Sequence, residues 1–228
     1  MTPEIPQCVG FIMDGNRRWA KARGLSSLEG HTKGYEALVS IIDVVGAIGI
    51  PHMVCYAFST ENWNRSADEI GHLMGLFERG IRELAHALQK QSRSVNVRII
   101  GDRSRLSETL QQEIVRIEAR NTADAALTVW LAISYGSRAE IVAAVNHAVA
   151  HGDTVTEESF GHLLYTEDMP DPDLIIRTSG EQRLSNFLLW QSAYSELFFT
   201  STLWPDFGET EFRAIVEAYG ARQRRKGR

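Results

Sequence analysis

Short apolar runs that stop at turn residues alternate along this chain with longer stretches whose apolar residues recur every three or four positions. Cys8 to Met13 is the first such run, and it stops at Asp14-Gly15-Asn16, a turn signal. His52 to Phe58, Val95 to Ile100, Leu127 to Ile133 and Leu174 to Ile176 repeat the pattern. Between them, helices are expected over Tyr35 to Ala47, where Leu38, Ile41, Ile42 and Val45 share a face ahead of Gly49, and over Ser107 to Asn121, Ser137 to His151 and Glu209 to Gln223. A polar loop, Ser59 to Ser66, leads into the longest helical pattern, Ala67 to Gln91, with Ile70, Leu73, Met74, Phe77, Ile81, Leu84 and Leu88 on one stripe. At 1.5 Å per residue that helix spans roughly 35 Å. Strands separated by helices form a mostly parallel sheet with helices on both faces. No Pro/Gly-rich linker, composition break or internal repeat divides the 228 residues, so one α/β domain over 1–228 is expected. In such sheets ligands bind beyond the carboxyl ends of the strands, and Asp14, Ser59, Asp102, Ser134 and Arg177 all fall there.

A net charge of -5 argues against a general nucleic-acid binder, whose affinity would come from Lys and Arg on phosphates. The basic cluster at the end, Arg222, Arg224, Arg225, Lys226 and Arg228, reads as a solvated tail. Cys8 and Cys55 sit in apolar runs, which suits buried free thiols in a reducing compartment. Met1 to Pro6 has no basic, apolar signal pattern, and no window reaches the eighteen or so apolar residues of a membrane span. A cytoplasmic protein is expected, touching a membrane only peripherally.

Walker A, His-Glu-x-x-His, paired Cys-x-x-Cys and Gly-x-Gly-x-x-Gly patterns are absent. A phosphatase of the Asp-x-Asp-Gly type would carry its nucleophile two residues before Asp14, where Ile12 stands. What remains is an acid on a glycine turn among cations. Asp14-Gly15-Asn16-Arg17-Arg18 offers a carboxylate, close backbone N–H groups and two guanidiniums at a strand end. Arg clamps phosphate oxygens in a bidentate way. A carboxylate repels the same phosphate unless a cation bridges them, and Mg²⁺ binds through one or two carboxylates plus substrate phosphates. Arg65, Arg177 and Arg183 add charge from other strand ends.

Six or more ordered blocks then carry a resemblance over nearly the whole chain. They are Met13 to Ala20, Gly30-His31, Tyr56 to Arg65, Ile99 to Asp102, Tyr135 to Arg138, Ile176 to Phe187, Glu196 to Phe199 and Leu203 to Phe207. The chain resembles the cis-prenyltransferases of the undecaprenyl diphosphate synthase family. The resemblance implies that family's fold with an apolar tunnel, and an enzyme, an isoprenyl transferase, that condenses isopentenyl diphosphate onto an allylic diphosphate, farnesyl diphosphate being the expected primer. It implies Mg²⁺ on Asp14 with Glu196 as second carboxylate. It places Gly15, Asn16, Arg17, Arg18 and His31 around the allylic diphosphate, with Trp19 beside that substrate. Ser59, Thr60, Glu61, Trp63 and Arg65 match the mobile loop over the site, and Asn62 matches a residue implicated in proton removal. Arg177, Arg183 and Ser185 match the isopentenyl diphosphate pocket. A homodimer is implied as well.

The sequence departs from the family at several places. Ser27 stands where members usually carry an Arg on the allylic diphosphate, and Arg17 stands where many have Gly. Gln182 replaces a His found in some relatives near the metal. Trp130 occupies a common Asn position and is read as a packing change or a narrowing of the tunnel. Ala57 and the long Ala67 to Gln91 helix favour a long product, undecaprenyl diphosphate for a cell-wall lipid carrier. The rivals are a short-chain cis-synthase and, in a different class, a non-catalytic partner subunit; retention of Asp14, Asn62 and Glu196 argues against the latter.

Overall fold

The computed structural model describes residues 4–90 and 94–222, without the side chains of residues 84–90. Gln91, Gln223, the tail residues Arg224, Arg225, Lys226 and Arg228, and the side chains of Leu84 and Leu88 therefore lie outside the described residues. The chain runs β1 (Cys8–Ile12), α1 (Asn16–Ala22), α2 (Ser27–Ile48), β2 (His52–Ser59), α3 (Ala67–Lys90), β3 (Val95–Ile100) and α4 (Glu108–Glu118). It continues through β4 (Leu127–Tyr135), α5 (Ser137–His151), α6 (Glu157–Gly161), β5 (Leu174–Arg177), β6 (Glu196–Phe199) and α7 (Glu209–Gly220). The six strands form one sheet in the order β3-β4-β2-β1-β5-β6, and every neighbouring pair is parallel. The expected α/β architecture is present.

Side-chain alternation divides the core. Val9, Phe11, Met53, Cys55, Val129 and Leu131 face α2, α3, α4 and α7, with Trp204 and Phe207 closing the far side. Cys8, Ile12, Val54, Trp130 and Ala132 face the other way, against Phe187 and Leu188. Trp130 thus lies across the sheet from the cluster that holds Ala57 and Phe77, and its indole N–H reaches His52 Nδ1 at 3.3 Å. It is a packing residue and does not narrow a cavity on the α2–α3 side.

Three elements depart from the sequence reading. The helix expected from Tyr35 begins two turns earlier, at Ser27, because Ser26 and Glu29 cap it reciprocally. Gly30 and Gly34 weaken helix propensity, which hid those turns. Their value is space: a Cβ on Gly30 would lie 2.3 Å from the Asn16 carbonyl oxygen, and one on Gly34 would lie 2.4 Å from Asn16 Oδ1. The short α1, which that groove receives, was not expected from the sequence. Nor was β6, four residues at the sheet edge beside β5. Among the described residues, no helix is long and apolar enough to cross a membrane.

Candidate active site

The turn after β1 sets the site. Gly15 has φ 116°, and a Cβ there would come within 3.0 Å of the Leu203 side chain. That left-handed turn lets the chain reverse directly from strand into α1, leaving Asp14 at the carboxyl end of β1. Thr178 accepts from the Asp14 backbone N–H at 3.0 Å and donates to the Asp14 carbonyl at 2.6 Å, fixing its backbone. One carboxylate oxygen of Asp14 accepts from Arg177 at 2.9 Å and the other lies 3.3 Å from Arg18. Burial opposes its charge, but Arg177, Ser179 and Arg18 outweigh burial and hold the carboxyl below the usual aspartate range. Asp14 is anionic.

Arg177 is 4% exposed and is held on several sides. Besides Asp14 it donates to Ser185 Oγ at 2.7 Å and to the Arg183 carbonyl, while its buried Nε has no partner. The loop that grips Arg177 is strained: Ser179, Ser185, Asn186 and Leu188 all have positive φ.

Across the mouth, Glu69 of α3 organises a second cluster. Its Oε1 meets His31 Nε2 at 3.0 Å and Arg65 at 3.0 Å, with Arg17 Nε at 4.0 Å. His31 is 8% exposed, and burial keeps its pKa below the ordinary histidine value despite Glu69. Asp14, Asn16, Arg17, Arg18, Lys21, Ser27, His31 and Arg65 rim one open cavity of about 890 Å³. The capped start of α2 opens on it, adding oriented N–H groups. Asn16 and His31 also belong to a second, apolar cavity of about 80 Å³ between α2, α3 and the sheet, walled by Leu38, Ile42, Ala57, Phe77 and Leu131. A cationic mouth therefore adjoins a hydrocarbon-lined interior across Asn16 and His31.

This pairing has relatives. A family model describing undecaprenyl diphosphate synthases matches residues 12–227. The chain belongs to that prenyltransferase family. It is similar to the isoprenyl transferase of Fusobacterium nucleatum subsp. nucleatum, 46% identical over 100% of this chain and 98% of the relative. The isoprenyl transferase of Thermotoga maritima is also 46% identical, over 98% and 97%. Among solved structures, lavandulyl diphosphate synthase from Lavandula x intermedia, in complex with dimethylallyl diphosphate, superposes with TM-score 0.93 at 38% identity, covering 98% of this chain and 99% of the other. A probable undecaprenyl diphosphate synthase from Campylobacter jejuni superposes with TM-score 0.82 at 34% identity, covering 99% of each. As in the relatives named isoprenyl transferase, the family's business is enzymatic prenyl transfer.

For a prenyltransferase the sequence-derived residues divide into those the fold gathers and those it does not. Asp14, Gly15, Asn16, Arg17, Arg18, Ser27, His31 and Arg65 are gathered at the mouth, and Arg177 and Ser185 adjoin Asp14. His31 sits in the second turn of α2. Arg183 is mostly exposed, with its guanidinium on Glu181 and its carbonyl on Arg177. Ser59 caps a 3₁₀ turn, Thr60–Asn64, in which the Ser59 N–H donates to Asn62 Oδ1 at 3.1 Å and Thr60 Oγ1 donates to Glu61 at 3.1 Å. Asn186 ties that turn down by donating to Glu61 at 3.0 Å.

Three of these residues have their partners away from the mouth. Trp19 is 8% exposed, donates to Asp206 at 2.7 Å and lies beneath Arg23, so α1 turns it away from the mouth. Trp63 packs edge-on against Phe58 and donates to Ser134 Oγ at 3.0 Å, which makes it a wall of the core at this end of the sheet. Glu196 opens β6 opposite Leu174, whereas Asp14 lies beyond the end where Arg177 pairs with Phe199. Three residues of strand put about 10 Å between those ends, and the Glu196 carboxylate pairs with Arg222. Within this chain the two carboxylates therefore stand toward opposite ends of the sheet. Among the described residues no three His, Cys, Asp or Glu side chains gather as a metal cage. The donor set fits a divalent ion held by Asp14 alone, with diphosphate oxygens and water completing its shell.

Glu69 is the residue that sequence reasoning missed. Ser66-Ala67-Asp68-Glu69 carries a capping-box spacing, and the Glu69 N–H does donate to Ser66 Oγ at 3.4 Å. That signal marks the helix start only; the pairing with His31, across 38 positions, is tertiary.

Proposed function

We propose that this prenyltransferase condenses isopentenyl diphosphate onto an allylic diphosphate, with farnesyl diphosphate as primer, and elongates it in cis toward undecaprenyl diphosphate. The observation that supports this most is an anion-binding mouth lying against an apolar cavity, with Asn16 and His31 lining both. The allylic diphosphate would lie on Gly15, Arg17, Arg18, Ser27 and the start of α2, its hydrocarbon entering the cavity. Isopentenyl diphosphate would lie on Arg177, Arg183 and Ser185, next to Asp14. Two diphosphates side by side need that separation of cations.

Breaking the allylic C–O bond loads negative charge on the leaving diphosphate, and the guanidiniums and backbone N–H groups of the mouth are already aimed at it. Mg²⁺ on Asp14 would supply further neutralisation of that charge. The isopentenyl double bond then joins the allylic carbon and a proton leaves. Asn62 is no base by its own pKa; with its carbonyl oxygen engaged by Ser59, its amide N–H₂ would orient the phosphate that accepts the proton. A homodimer and peripheral membrane contact complete the reading. The exposed Val142, Val145 and Val149 on one side of α5 support the former.

A second reading, a short product, is favoured by the small interior, about 80 Å³. The purified protein, given farnesyl and labelled isopentenyl diphosphates with Mg²⁺, should yield polyprenyl diphosphates whose chain length chromatography reads. No incorporation would overturn the proposal. Each added five-carbon unit buries roughly 3–4 kcal/mol of hydrocarbon, so detergent should speed turnover by easing release; an unchanged rate would remove slow release from the scheme.

A further inference from the structure

The apolar cavity is too small for the chain it would have to hold. A cavity of 150 Å³ accepts about one benzene, and this one is about 80 Å³. Growth past a single isoprene unit therefore needs a wall to move. Leu131 and Ile133 belong to β4, hydrogen-bonded on both sides within the sheet. Trp204 is tied by its indole N–H to the Gly34 carbonyl at 2.8 Å. Tyr35 is different. It stands on α2, lines the cavity, and reaches α3, where its O–H donates to Glu83 at 3.2 Å. That bond lies at the surface, where water replaces it at little cost.

The ring itself rests on Gly80. A Cβ at Gly80 would come within 2.9 Å of Tyr35 Cε2 and 3.4 Å of its Cζ. Glycine inside a helix costs roughly 0.5–1 kcal/mol against alanine. The other glycines of α3 show no such neighbour: nothing lies within 4 Å of a Cβ on Gly71, and only Arg79 NH1, at 3.9 Å, near one on Gly75. Gly80 is thus a socket for the tyrosine ring. Burial, reinforced by Glu83, pushes the phenol up to about 12, so it stays an O–H donor at working pH.

We propose that Tyr35, seated on Gly80 and pinned to Glu83, is the gate of the apolar cavity and sets the length of the chain the enzyme builds. The proposal rests on the elongation reading above. When the phenol leaves Glu83, the ring would swing on its two side-chain bonds and let the hydrocarbon pass between the helices.

The test sizes the products made from farnesyl and isopentenyl diphosphates by the parent and by Y35A, Y35F, G80A and Y35A/G80A. Y35A should lengthen the average product by at least one isoprene unit. Y35F, which keeps the ring and loses the pin, should shift it the same way by less. G80A should change product length in the parent and add nothing on the Y35A background, since the methyl acts only through the ring. Folded Y35A and Y35F proteins that give the parent's distribution overturn the gate, as does a G80A effect undiminished in the double variant. Should Y35A fail to fold, Y35F and G80A decide by the same readout. A parent that makes no product sinks the elongation reading and the gate with it, whereas an active parent with indifferent variants sinks the gate alone.

Discussion

The two cavities share Asn16 and His31 but are built on opposite plans. The mouth is wide and its charges are fixed: Asp14, Arg177 and Glu69 each hold two or more partners. The interior is small, and Tyr35 is pinned by one surface hydrogen bond. Stabilising charge in a transition state requires donors that do not reorganise, so rigidity belongs at the mouth. Accepting a chain of growing length requires walls that give. The difference is between a site made for one geometry and a space made for several.

The sharpest way to break this contrast is at Asp14. Asp14→Asn keeps an acceptor for the buried Arg177 yet removes the charge a metal needs. Activity should fall on the order of 1000-fold while the melting temperature holds; near-normal turnover would remove Asp14 from its role. Arg177→Lys comes next. It keeps the charge and loses the fork to Asp14 and Ser185, so kcat/KM for isopentenyl diphosphate should drop on the order of 100-fold, read in steady-state assays. Glu69→Gln loosens His31 and Arg65 together. A rise in KM for the allylic diphosphate of about tenfold is expected, with kcat less affected.

Acid should separate the two regions as well. The folded pKa of His31 is depressed, so the folded form binds fewer protons than the unfolded chain, whose histidine titrates near 6.5. Its contribution to stability is complete above that pH and is lost as pH falls through it. Asp14 and Glu69, also depressed, add a further loss at and below the ordinary carboxylate range. Urea midpoints at descending pH should fall in those two stages, the first reduced in His31→Gln, with the remainder owed to His52, whose pKa burial also depresses. The smallest effect is expected at Ser27→Arg, which adds a cation to the exposed rim and should lower KM for the allylic diphosphate roughly threefold.

The sheet was legible because its strands are buried and announce themselves as apolar runs; β1 through β5 all appear near their expected bounds. β6 was not: as short as β5, it is a partly exposed edge strand that opens on a charge, whereas β5 is buried throughout. The mouth was legible where residues sit close in sequence at a strand end, as Asp14 to Arg18 do. It was illegible where function depends on which way an element faces. Trp19 shares α1 with Arg18, and only helix rotation sends one to the mouth and the other to Asp206. Where Glu196 stands was illegible for a related reason: only register shows that it pairs with Leu174, at the end of β5 away from Arg177.

The loop that grips Arg177 carries one more implication. Ser179, Ser185, Asn186 and Leu188 are all held at positive φ, conformations that glycine adopts without penalty. A laboratory selection for heat resistance alone would find relief there, for example through Ser185→Gly, and would discard the hydroxyl that Arg177 uses. The tension in this loop therefore marks where thermostability and turnover pull the sequence in opposite directions, and breeding the protein for one alone would erode the other.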